Sequence, residues 1–125
     1  WLAKQPEVEQ VLYPALPDAP GHAIWKRDFT GACGLFAVQL RPMAEQAVTA
    51  MLDGMNLFGM GFSWGGFESL ILLTNPGKDR TAKPWQGRGP LLRLHIGLEN
   101  PEDLIADLEA GFERMRRELG AVCAK

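Results

Sequence analysis

The stretch from Asn100 to Gly120 limits the fold more than any other part of this chain. Leu104, Leu108, Phe112, Met115 and Leu119 recur at helical spacing and form one apolar stripe, widened by Ile105. Asn100 can cap such a helix, Pro101 fits its first turn, and Glu102 and Asp103 complement the dipole there. Arg114, Arg116 and Arg117 suit the other end, and Gly120 reads as the stop. A stripe of this length has to lie on an apolar surface, and the upstream chain offers short strand-like runs to supply it.

Four such runs stand out. Val8–Tyr13 carries Val8, Val11, Leu12 and Tyr13, and Gly34–Leu40 is β-branched and aromatic between turn residues. Glu68–Thr74 holds Leu70 to Leu73 without alternation, the pattern of a strand covered on both faces. Leu91–Ile96 alternates Leu91, Arg93 and His95 against Leu92, Leu94 and Ile96, so one face meets the core and the other something polar. Leu57–Phe62, interrupted by Gly59 and Gly61, reads as a further strand or its approach. Met43–Leu52 is a helix with Met43, Ala47, Val48, Met51 and Leu52 on one face, entered through Pro42 and closed by Asp53-Gly54. Pro14, Pro17, Pro20 and Gly21 forbid regular structure and suggest a loop or a neck; Ala23 to Trp25 suit one helical turn, and Asn75–Pro90 a loop. The expectation is an α+β domain: a small, mostly antiparallel sheet with helices packed on one face.

The 125 residues suffice for one domain with a real core. A net charge of −2 gives no general pull toward nucleic acid or an anionic membrane. Cys33 and Cys123 form neither a disulfide framework nor a metal-ligand spacing, which suits a reduced, cytoplasmic protein with thiols packed or idle. No apolar run nears the roughly 20 residues of a bilayer span, and no signal peptide is visible. Trp1-Leu2-Ala3-Lys4 reads like the end of a helix begun elsewhere, so a piece of a longer protein is expected.

Among chemically capable residues Arg93 leads. A guanidinium between Leu92 and Leu94 is costly to bury unless an ionised group meets it, and it can grip a carboxylate through two parallel hydrogen bonds. An internal ion pair with Glu68 or Glu99, or an exposed face, explains it equally. Ser63-Trp64-Gly65-Gly66 combines a hydroxyl, an indole and a flexible bend whose N–H groups can hold an oxyanion; a tight turn with a core tryptophan is the alternative. Ser63 lies outside any G-x-S-x-G pattern. His95 and His22 read as structural, Lys78, Arg80, Lys83 and Arg88 as a solvated basic loop, and Met43, Met51, Met55 and Met60 as core filler.

Phe62-Ser-Trp-Gly-Gly-Phe-Glu-Ser-Leu70 and Leu92-Arg-Leu-His-Ile-Gly-Leu-Glu99 resemble the C-terminal domain of the Cys/Met-metabolism family of pyridoxal-phosphate enzymes. Val8–Pro14, Trp25–Gly31 with Gly34–Phe36, and Pro101–Glu109 extend the resemblance over essentially the whole chain, nearest to the bacterial branch that splits L-cystathionine by β-elimination. The resemblance implies the small domain of a fold-type I enzyme. Residues 1–21 would be its neck, and a large domain elsewhere would bind pyridoxal 5'-phosphate through a lysine. It implies an amino-acid substrate, a homo-oligomer, commonly a tetramer, and substrate contacts from Arg93 (to the α-carboxylate), Ser63 and Trp64. Trp64 stands where relatives acting on the γ carbon often carry Leu. Lys4, Lys26, Lys78, Lys83 and Lys125 all lack the Ser/Thr-rich surroundings of the family's cofactor lysine, so no catalytic residue is expected in this chain and no turnover by it alone.

Overall fold

The computed structural model describes residues 1–123; Lys125 and the Cys123 side chain lie outside the described part. Strands β1 (Val8–Leu12), β2 (Leu35–Leu40), β3 (Leu70–Thr74) and β4 (Leu91–His95) form one sheet in the order β1-β2-β4-β3. Every neighbouring pair is antiparallel. Helices α2 (Glu45–Leu52) and α3 (Pro101–Cys123) pack on one face of it. The α+β expectation therefore holds. Within residues 1–21, β1 is the edge strand and Trp1 packs edge-on against Phe112, ring centroids 5.7 Å apart, so the irregular run is confined to Tyr13–Gly21.

The core follows from the two periodicities. Alternate residues of the sheet, Val38, Leu40, Ile71, Leu92 and Leu94, meet Ala47, Val48, Met51 and Leu52 of α2 and Leu104, Leu108, Phe112 and Met115 of α3. Each large side chain fully buried here contributes about 1.5–3 kcal/mol. Leu91, Arg93 and His95 point to the opposite face, cross-strand from Gln39, Ala37 and Leu35 on one side and from Thr74, Leu72 and Leu70 on the other.

Four local expectations are corrected or narrowed. The 22–30 segment holds a helix, α1 (His22–Asp28), rather than a single turn. Gly21 enters it at φ 84, and α1 buries none of its residues, so no apolar stripe announces it. Of the two readings of Leu57–Phe62, a strand or its approach, the approach holds: only Gly59 bridges to Leu70. The backbone N–H groups of Asn56, Leu57 and Phe58 are instead taken by the Asp107 carboxylate, which leaves them unavailable to a ladder. Gly120 does not end α3, which runs on to Cys123: an exposed helical glycine costs only about 1 kcal/mol and cannot by itself stop a long helix. Met60 is 65% exposed and Cys33 is exposed, so neither is core filler or packed, whereas Met51 is fully buried. The Asn100 cap is present, its Oδ1 accepting from the Glu102 N–H at 2.8 Å.

Candidate functional site

The sheet face turned away from the helices, covered by loops rather than helices, is where chemistry can gather. It is crossed by the 62–67 loop, which connects the Gly59 bridge to β3 and folds over β4. Gly65, at φ 81, makes the bend; a side chain there would be strained. Arg93 Nη2 donates to the Phe62 carbonyl, and its guanidinium carbon lies 5.6 Å from the centroid of the Trp64 ring. That distance is within cation–π range. Ser63 sits in the chain between these two contacts, with its side chain exposed. The structure thus brings Arg93 together with the Phe62 carbonyl and the Trp64 ring, some thirty residues earlier in the linear order, with Ser63 between them in the chain.

One alternative falls at each of two positions: the internal ion pair of Arg93 and the core tryptophan. Arg93 forms no ion pair with Glu68 or Glu99; it is half-buried and held by a neutral carbonyl, which leaves guanidinium N–H groups for an incoming anion. Trp64 is 60% exposed and is no core residue. Its neighbours Phe62 and Phe67 are more exposed still, so the loop presents aromatic surface around the guanidinium. His22 is structural, its Nδ1 donating to the Pro14 carbonyl at 2.9 Å. The basic side chains of the 75–90 loop are exposed, with Arg80 stacked near Trp85.

The loop is anchored from below by groups that sequence reasoning does not single out. The Glu99 carboxylate accepts from the Ser69 N–H at 2.7 Å and from the Ser69 hydroxyl at 2.8 Å. That hydroxyl in turn accepts from the Gly97 N–H at 2.9 Å, and the Leu98 N–H donates to the Phe67 carbonyl at 2.8 Å. A Cβ at Gly97 would stand 2.7 Å from the Glu68 carbonyl carbon and against the Phe67 carbonyl oxygen, so only glycine lets the two segments close this far. The Ser69 N–H, followed by further hydrogen bonds to the charged form, holds the Glu99 carboxyl below its ordinary range. A carboxyl lowered on folding adds stability that is complete above its ordinary value of 4.5 and is lost as pH falls through the lower folded value. Thermal midpoints of the wild-type protein should therefore drop as pH is lowered from about 5 to about 3, and Glu99→Gln should flatten that drop. An unchanged slope would remove Glu99 from the account.

The gathered groups suit a small carboxylate: a cation with free donors and an indole wall beside it, with Ser63 next in the chain. They do not suit covalent attachment of an aldehyde cofactor. No lysine is among them; Lys4, Lys26, Lys78 and Lys83 are exposed in the first 3-10 turn, in α1 and in the 75–90 loop. None of the described helices is long and apolar enough to cross a membrane.

Residues 1–113 match the family model described as Cys/Met metabolism PLP-dependent enzyme. The chain is 50% identical over 119 residues to the cystathionine beta-lyase of Salmonella typhimurium, covering 92% of this chain and 30% of that protein. It is 50% identical over 120 residues to the cystathionine beta-lyase MetC of Escherichia coli, with the same shares covered. Among solved structures it superposes on the cystathionine gamma synthase from Xanthomonas oryzae pv. oryzae in complex with cystathionine, with a TM-score of 0.76 and 36% identity, over 93% of this chain and 31% of that one. The chain spans about a third of the length of the relatives it matches.

Proposed function

The chain belongs to the Cys/Met metabolism PLP-dependent enzymes, and from that premise we propose that it is the small C-terminal domain of a cystathionine beta-lyase. In this reading the whole protein takes L-cystathionine and water to homocysteine, pyruvate and ammonia, in the cytoplasm. This chain forms the carboxylate-holding wall of the pocket. The observation that carries the reading is the placement of Arg93 under the Ser63–Trp64 loop, in a chain half identical to two beta-lyases.

The role of each residue follows from its position. Arg93 receives the substrate α-carboxylate on its free N–H groups, and the Phe62 carbonyl fixes the direction in which they point. Trp64, stacked near the guanidinium, shields that ion pair from water and strengthens it. Ser63 lines the same wall. With the carboxylate fixed, rotation of the substrate about its Cα is restricted, which is the main contribution of an orienting site. Pyridoxal phosphate, which supplies electron withdrawal in this family, belongs in this reading to the rest of the polypeptide. The partners are that remaining segment, further copies of the protein and the amino-acid substrate.

Product analysis on the full-length protein tests the reaction. Pyruvate with homocysteine supports it. Production of 2-oxobutyrate with cysteine would replace it by γ-elimination, a second reading supported by 34% identity to the cystathionine gamma-lyase of Bos taurus. The isolated chain mixed with pyridoxal phosphate should give no stoichiometric visible absorption band; one abolished by changing a single lysine would assign the cofactor to this chain after all.

A further inference from the structure

His95 lies two residues from Arg93 on the same face of β4, 8% exposed, beneath the tip of the 62–67 loop. The Gly65 N–H stands 3.2 Å from its Nε2 and 3.4 Å from its Nδ1, and Nε2 is 3.1 Å from the Gly66 carbonyl oxygen. A neutral imidazole has one donor nitrogen and one acceptor nitrogen. The Gly66 carbonyl can only accept, so the proton is assigned to Nε2; the Gly65 N–H, almost equally far from both ring nitrogens, is directed at the imidazole between them rather than along one lone pair. Nothing lies within 4 Å of where a Cβ would stand on Gly65 or Gly66, so side-chain packing does not hold the tip. The imidazole does.

We propose that His95 is a positioning residue for the carboxylate site, pinning the Gly65–Gly66 tip and thereby setting where Ser63 and Trp64 stand relative to Arg93. This rests on the proposed role of Arg93 in holding the carboxylate. Its consequence is specific to binding. A loop released from the ring has to be ordered by each arriving substrate, so the cost falls on KM more than on kcat. An amide side chain carries a donor and an acceptor and can replace the ring's two bonds; an apolar side chain of similar size fills the space and makes neither.

The test uses the full-length enzyme with L-cystathionine. His95→Phe should raise KM about tenfold with kcat within about threefold of wild type, and His95→Gln should bring KM back to within about threefold. A wild-type KM in His95→Phe, or a Gln variant no better than Phe, overturns the proposal. Should His95→Phe fail to fold, His95→Leu takes its place with the same outcomes: a raised KM that His95→Gln restores supports the clamp, and a wild-type KM overturns it. Arg93→Ala run alongside separates the two readings. If it is impaired while His95→Phe binds normally, only the clamp falls; if it is itself unimpaired, the carboxylate site and the clamp fall together.

Discussion

If Arg93 holds the substrate α-carboxylate as proposed, replacing it by alanine in the full-length protein should lower kcat/KM for L-cystathionine by about two orders of magnitude or more. The basis is the loss of a charge-assisted contact to a half-desolvated carboxylate, worth about 2–5 kcal/mol. The half-buried setting of Arg93 matters to the size of the effect, because water cannot fully replace the guanidinium under the Trp64 ring. Arg93→Lys keeps the charge but loses the planar fork, and one ammonium cannot serve the Phe62 carbonyl and both carboxylate oxygens in the same geometry. It should recover only part of the activity. Circular dichroism establishes that the variants are folded. Near-wild-type kinetics in a folded Arg93→Ala protein would remove the residue from substrate binding.

The second large effect is on stability. Asp107 sits on α3, 6% exposed, and its two oxygens accept from the backbone N–H groups of Asn56, Leu57 and Phe58 at 2.7–3.3 Å. Alanine there leaves three peptide donors facing a gap that no residue fills, and the loss should be about 3–5 kcal/mol. Asparagine keeps one acceptor oxygen and should lose less. Thermal or urea unfolding of the full-length variants measures both; an Asp107→Ala midpoint within about 1 °C of wild type would contradict the assignment. The same carboxylate starts the path of the chain toward the 62–67 loop, so its removal also loosens the approach to Arg93.

Legibility in the residues differs from element to element. The apolar stripe of α3 and the alternation in β4 place the sheet and the helix face correctly, because burial on one side leaves a period in the sequence; the unbroken Leu70–Leu73 run marks β3 but overstates its burial, since β3 is an edge strand and Leu73 is exposed. α1 leaves none, since it buries nothing, and is legible only as a turn. The apolar content of 57–62 suggests a strand, but a carboxylate from a helix some fifty residues later captures the N–H groups of its first half. A tertiary contact of that range is invisible to local pattern. Asp107 does leave one trace: it is an acidic residue at the margin of the α3 stripe, beside Leu104 and Leu108, where a charge is costly unless it finds donors. Arg93 stands out for the same reason. Ser63 and Trp64 are marked by the glycine pair that follows them, while the Glu99–Ser69–Gly97 chain of hydrogen bonds has no signature of its own.

β4 pairs with both β2 and β3, and it is the last of the four strands in chain order. During synthesis β3 therefore has no ladder to join, and the proposed carboxylate site lacks Arg93, until Leu91–His95 emerge from the ribosome. Nascent chains stalled before that point can pair β1 with β2 but should leave Leu70–Thr74 open to protease until β4 emerges.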